Sequence, residues 1–235
     1  MELKTLLRKI IPRRVISACR IVLIMQRGHG HISQRKGFPV DGHGNYLPWL
    51  TYPLIEYLNG FDFSGKTVFE YGAGSSTMFW SKRAKTVESV ELDPAWHQAI
   101  VAMAPPNVFL HNEPDGHAYA NKILEKDTRF DVIVIDGAER YRSAQAALQR
   151  LAPGGMIILD NAEWYPRTAS LLLGADLIEV RFSGFAPLNA FTSTSSVFFH
   201  REFAFPIRGE ARGLPIGGVS IPGGTLDDGP DRQPC

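Results

Sequence analysis

Val68-Phe-Glu-Tyr-Gly-Ala-Gly-Ser-Ser-Thr-Met-Phe-Trp80 runs from an apolar stretch through a glycine turn into a segment of helical character. Strand, glycine turn and helix in that order begin a βαβ unit. In an open parallel sheet such a turn lies at the carboxyl edge, where ligands bind. Gly72 and Gly74 permit positive φ and a close approach to the backbone. Ser75, Ser76 and Thr77 are candidate caps for the next helix.

The same alternation continues downstream. Residues 67–71, 87–92, 108–111, 130–135 and 155–159 read as strands, and helical stretches begin near Ser75, Pro94, Tyr119, Ser143 and Pro166. Runs apolar throughout, such as 132–135 and 156–159, suit strands covered by helices on both faces. The order βαβαβαβαβα predicts a parallel α/β sandwich. Residues 177–185 and 196–203 are β-rich and predict an antiparallel hairpin closing one edge of the sheet.

A lone G-x-G serves two cofactor classes. Thr77 stands where the dinucleotide fingerprint has Gly or Ala. The Glu70 carboxylate enters the loop where a pyrophosphate would sit, and like charges repel. The ammonium and sulfonium of S-adenosylmethionine would instead be attracted there. Glu91, 21 residues after Glu70, ends the second strand, where a carboxylate can accept from both ribose hydroxyls. Asp93-Pro94 reads as a helix start.

Glu70-Tyr-Gly-Ala-Gly, Glu91, Phe130-Asp-Val-Ile-Val-Ile-Asp-Gly137 and Leu151-Ala-Pro-Gly-Gly-Met-Ile-Ile-Leu-Asp160 resemble the successive motifs of class I S-adenosylmethionine-dependent methyltransferases, which have a Rossmann-like fold. The likeness covers about residues 48–203. It implies a seven-stranded, mostly parallel sheet of order 3-2-1-4-5-7-6 with helices on both faces and a C-terminal antiparallel hairpin. It also implies a cofactor site of Glu70, Tyr71, Gly72, Gly74, Ser75, Ser76, Thr77, Glu91, Leu92, Asp115 and Gly116. The glycine loop would hold the methionine moiety, Glu91 the ribose and the stretch from Asp115 to His117 the adenine.

Asp136, Asp160 and Asn161 resemble the strand-end ligands of metal-dependent O-methyltransferases. There a bound Mg²⁺ holds a substrate hydroxyl and lowers its pKa. The plainer reading has Asp160 and Asn161 ending a strand and capping the next segment, with Asp136 touching the cofactor amine. Asp136 is also the candidate catalytic base. Arg140, Tyr141 and Tyr52 are candidates for the acceptor pocket. Arg140 suits an anionic group, and Tyr52, beside Trp49, reads either as a cation–π shield for the sulfonium or as an aromatic staple. The motif string also resembles uncharacterised methyltransferases found beside sugar and polysaccharide biosynthesis enzymes, which implies a carbohydrate acceptor.

The 235 residues carry 25 Lys and Arg against 24 Asp and Glu, with 44% hydrophobic residues, which excludes a collagenous or wholly disordered chain. Two cysteines, Cys19 and Cys235, suggest no disulfide framework and fit a reducing, cytoplasmic setting. The near-neutral sum hides an asymmetry: nine Lys or Arg stand among the first 36 residues against Glu2 alone, leaving the remainder acidic. Residues 1–27 therefore read as a basic amphipathic helical head for the anionic inner face of a membrane or for a protein surface. Residues 28–47 read as a linker or lid, 48–208 as the methyltransferase domain, and 209–235, with seven Gly and four Pro, as a disordered tail.

The expected function is S-adenosylmethionine-dependent O-methylation of a small-molecule or sugar hydroxyl. The rivals are a catalytically silent cofactor-binding module and an aminopropyl transferase on the same sheet. The acidic core opposes a nucleic-acid partner.

Overall fold

The computed structural model describes residues 12–209 and 213–220. The apolar periodicity of residues 3–11, the end of the tail and Cys235 lie outside these residues. Seven strands form one sheet: β1 (Thr67–Tyr71), β2 (Thr86–Glu91), β3 (Val108–Asn112), β4 (Phe130–Ile135), β5 (Leu151–Leu159), β6 (Ile178–Phe185) and β7 (Thr192–Phe199). Their order is β3-β2-β1-β4-β5-β7-β6, the order that the family resemblance implies. β1 to β5 pair in parallel, while β7 runs antiparallel to both β5 and β6. A short ladder of Gln34–Arg35 with Phe38–Pro39 lies outside the sheet.

Alternation along each strand divides the core in two. Val68, Val87, Val132, Val134, Met156, Ile158 and Val197 face one side, covered by α2 (Tyr52–Asn59) and α3 (Ser75–Ser81). Phe69, Ile133, Ile135, Ile157, Leu159 and Phe198 face the other, covered by α5 (Gly116–Asn121), α6 (Arg140–Arg150) and α7 (Pro166–Leu173). Each such side chain, fully withdrawn from water, contributes about 1.5–3 kcal/mol of transfer free energy. α4 (Pro94–Val101) starts on Asp93, whose Oδ1 accepts from the Ala95 and Trp96 amides, so the Asp-Pro signal is a true N-cap.

Four elements differ from the expected bounds by three or four residues. The third and fourth helices of the alternation start three residues earlier than Tyr119 and Ser143, at Gly116 and Arg140. β5 begins at Leu151 rather than Gly155, with the register against β4 shifting between Phe130 and Val132. The last strand is Thr192–Phe199 instead of 196–203. Its start is a run of Ser and Thr that reads as a loop, yet 193–196 are buried and three of their hydroxyls are paired: Ser195 with Asp160, Ser196 with Glu179 and Thr194 with Ser183. Phe203 turns back instead, its ring 4.5 Å from that of Phe199.

Ahead of the sheet, Phe38 packs with Ala73, Met78 and Ile100, its ring 5.1 Å from that of Trp96. The stretch between head and core thus covers the glycine turn. The head helix α1 (Arg13–Leu23) buries none of its residues.

Candidate active site

At the carboxyl edge of β1, Gly72 has φ +93°, and a Cβ there would stand 2.8 Å from Gly137 Cα. The turn after β1 and the turn after β4 therefore touch backbone to backbone, which only glycine allows. The Gly74 amide donates to Thr77 Oγ1 (2.9 Å), and Thr77 Oγ1 donates to Glu70 Oε2, which also accepts from Ser89 Oγ (2.7 Å). Glu70 therefore lies beneath the loop and supports it through Thr77, rather than entering it. Burial pushes its pKa up to about 7, against the lowering effect of Ser76, Thr77 and Ser89, and its Oε1 has no partner.

This burial makes stability depend on pH. Unfolded, Glu70 ionises near the ordinary 4.5; folded, it holds its proton to about 7. Its contribution to stability is complete below the unfolded value and is lost as pH rises through the folded one, by about 3 kcal/mol in full. Glu70→Gln is expected to flatten this decline, so that the variant's melting temperature gains on the wild type's between about pH 5 and about pH 8. A constant difference across that range would refute the assignment.

Glu91, at the end of β2, accepts from three backbone amides: Ala73 at Oε2 (3.0 Å), and Leu92 (2.8 Å) and Asp93 (2.9 Å) at Oε1. It ties the glycine turn to the second strand. Trp96 Nε1 donates to the Ala73 carbonyl (2.7 Å) from the other side. The remaining expected cofactor residues divide. Ser75, Ser76 and Thr77 are buried at the start of α3. The Tyr71 hydroxyl donates to the Ala120 carbonyl within the core, and only the Tyr71 carbonyl, accepting from Asp136 N, reaches the edge. Leu92 packs on the second core cluster. Asp115 caps α5 through the Ala118 amide, and a Cβ on Gly116 would meet Glu139 at 3.2 Å.

Tyr119 was not legible as a site residue. It is buried among core residues, but its hydroxyl abuts Gly137 so closely that a Cβ there would lie 2.0 Å away. Burial, and then the Glu91 and Asp136 carboxylates, push its pKa up.

Asp136 follows β4 and Asp160 follows β5. Both carboxyls are pushed above the ordinary range, chiefly by burial; for Asp136 the neighbouring Asp160 adds to this. Arg140, the first residue of α6, sits between the two turns. Its Nε donates to the Gly137 carbonyl (3.0 Å), Nη1 to the Asp160 carbonyl, and Nη2 to the Asp136 carbonyl and Oδ1 (both 3.2 Å). Its guanidinium thus donates to the chain itself, and Arg140 also lines the cavity beside it. Asp160 Oδ1 accepts from Ser195 Oγ, and Asn161 turns the chain with φ +49°, as Asn tolerates. Among the described residues no three His, Cys, Asp or Glu gather around a point that could hold a metal ion. The expected Mg²⁺ set holds two such residues, Asp136 and Asp160, with Asn161, and each carboxylate has a partner within the chain, Asp136 in Arg140 and Asp160 in Ser195.

Beside Arg140 opens a cavity of about 530 Å³, lined by Glu139, Tyr141, Trp164, Tyr165 and Arg167 among others. Tyr141 is in this wall, as expected for an acceptor pocket. Tyr52 is elsewhere, in a separate pocket with His29, Glu56 and Phe185, its hydroxyl 3.0 Å from His31 Nδ1. Trp49 Nε1 donates to the Pro187 carbonyl.

Comparison with known proteins bears on this architecture. The O-methyltransferase of Bacillus cereus, solved with S-adenosylhomocysteine, superposes with a TM-score of 0.50 at 14% identity, over 63% of this chain and 77% of its own. The fold is that of the class I methyltransferases. The O-methyltransferase TomG of Streptomyces achromogenes, solved with S-adenosylmethionine, gives a TM-score of 0.49 at 13% identity over 63% of this chain and 77% of that one. In sequence, a stretch of 59 residues is 41% identical to the Probable ribosomal RNA small subunit methyltransferase A of Pyrobaculum aerophilum. It covers 24% of this chain and about a quarter, 26%, of that protein. No protein-family profile matches the chain.

Proposed function

We propose that this chain transfers a methyl group from S-adenosylmethionine to a hydroxyl of a small molecule, a sugar hydroxyl in particular. One observation carries the reading: Asp136, a carboxyl of raised proton affinity, lies against the glycine turn and pairs with Arg140, which lines the cavity. The residues fit the cofactor's chemistry. The Glu91 carboxylate stands beside the turn on three backbone amides, and among the described residues Glu70 Oε1 and the Tyr119 hydroxyl have no partner, which is costly unless a ligand or water pairs them.

The cofactor, when bound, supplies a methyl carbon on a positively charged sulfur. The chain's own share is to hold the acceptor oxygen in line with that carbon, a proximity effect, and to take the hydroxyl proton on the Asp136 carboxylate. Tyr141 and Trp164 offer half-exposed ring faces in the cavity, against which a sugar ring can pack, with Arg167 beside Tyr141.

Glu91→Ala is expected to weaken both S-adenosylmethionine and S-adenosylhomocysteine about 10- to 100-fold in calorimetric titration, through the lost ribose contact and the released amides. Failure of the folded wild type to bind either would refute the cofactor. Label transfer across an acceptor set of sugars, phenols and small-subunit ribosomal RNA separates the acceptor classes; turnover on RNA alone would overturn the small-molecule reading.

We also infer that the head docks on an anionic lipid surface. Val15, Ile16, Val22 and Leu23 are exposed on α1 with Arg13, Arg14 and Arg20. An eleven-residue helix is marginal alone in water, and this one has the apolar face and basic residues that an anionic interface receives. No helix among the described residues is long and apolar enough to cross a membrane. The full chain is expected to float with liposomes containing anionic lipid, and a Val22→Glu, Leu23→Glu double variant to stay in solution. Equal flotation of the two would sink the idea.

A further inference from the structure

The metal-ligand pattern read from Asp136, Asp160 and Asn161 meets, in the folded chain, a side chain that replaces the metal. Arg140 donates four hydrogen bonds, to the carbonyls of Asp136, Gly137 and Asp160 and to the Asp136 carboxylate. Its guanidinium lies 4.4 Å from the centroid of the Tyr165 ring, and its side chain keeps only 9% of its exposure. A hard divalent cation needs several oxygen ligands that are free to turn toward it. Here the Asp136 carboxylate is held by Arg140 and the Asp160 carboxylate by Ser195.

A second cation would stand within a few ångströms of a buried guanidinium, which repels it with little screening from solvent. The position also follows from the chain. Glu139 takes the left-handed conformation, φ +49°, so that Arg140 enters α6 facing back to Asp136 and Gly137.

We infer that Arg140 is the resident cation of this site: it bridges the two strand-end turns where a divalent ion would stand, so the acceptor hydroxyl loses its proton to Asp136 without a metal. Arg140 is a positioning residue. It holds Asp136 beside the cavity and balances the two carboxylates from within the chain. The exclusion of the metal rests on this geometry alone; its meaning for turnover rests on the methyl-transfer reading.

The test is thermal melting of the full chain in millimolar MgCl₂ and in EDTA, with S-adenosylhomocysteine titration alongside. Wild type is expected to melt at one temperature in both. Arg140→Met, similar in length and uncharged, is expected to melt several degrees lower and to gain a Mg²⁺-dependent rise, because the turns then present carboxylates without a counter-charge. Arg140→Lys is expected to recover part of the loss and to remain indifferent to Mg²⁺. A Mg²⁺-dependent rise in wild type, a loss of wild-type turnover in EDTA, or no Mg²⁺ response in Arg140→Met would each overturn the inference. If Arg140→Met does not fold, wild type and Arg140→Lys still decide it. Failure of the methyl-transfer reading appears separately, as wild type that binds no S-adenosylhomocysteine.

Discussion

Asp136→Asn is expected to lower kcat/KM for methyl transfer about 1,000-fold, inside the range of a lost general base, while S-adenosylhomocysteine binding is kept. The amide keeps the volume and can still accept from Arg140 Nη2, so the turn between Asp136 and Arg140 is retained. What it cannot do is take a proton. The pH dependence gives a second handle. Burial and Asp160 raise the Asp136 pKa above the ordinary carboxylate value, and a base must be ionised to act. The wild-type rate therefore rises with pH through that raised value, and the acid limb lies higher than a solvated aspartate would place it. Steady-state kinetics over pH with a turnover-competent acceptor check both points. A variant with wild-type kcat, or a wild-type limb at an ordinary carboxylate pKa, would remove Asp136 from the chemistry.

Gly72→Ala is expected to abolish detectable S-adenosylhomocysteine binding and to destabilise the chain by about 2–6 kcal/mol. Two effects add. The backbone at φ +93° strains any L side chain, at roughly 1–3 kcal/mol, and the new Cβ would meet Gly137 Cα at 2.8 Å and Gly137 N at 3.0 Å. Both of these are backbone atoms that cannot rotate away, which adds an overpacking cost of about 1–3 kcal/mol. Gly37 supplies the control. It has φ +83°, yet no atom lies within 4 Å of where its Cβ would be, so Gly37→Ala carries the strain without the contact. Denaturant midpoints of the two variants separate the terms, and calorimetry reports binding. Equal midpoints would show that the close approach of the two turns contributes nothing.

Much of the fold was legible because it rests on local rules. The apolar runs of β4 and β5 announce strands covered on both faces, and Val132 and Val134 do face one helical layer while Ile133 and Ile135 face the other. Asp93-Pro94 announces a cap that depends on its own next residues. Legibility ends where a residue's role is set by a distant partner. Thr194, Ser195 and Ser196 are accommodated in a buried strand because Ser183, Asp160 and Glu179 pair with their hydroxyls. Glu70 was expected within the loop, but Ser89 and Thr77 hold it below.

By itself the amino-acid sequence determined the class of fold and the carboxyl-edge location of Gly72, Glu91 and Asp136, which depend on hydrophobic period, turn residues and motif spacing, all local to the chain. The strand order came only from the resemblance of its motifs to a known family. The tertiary structure alone decided what the charged residues at that edge do. Arg140 reads in the sequence as a substrate ligand; in the fold the turn after β5, 20 residues on, brings the Asp160 carbonyl to its guanidinium, while Arg140 also lines the cavity. A side chain's donors go to whichever acceptors packing brings within about 3 Å, and that proximity is a property of the folded chain.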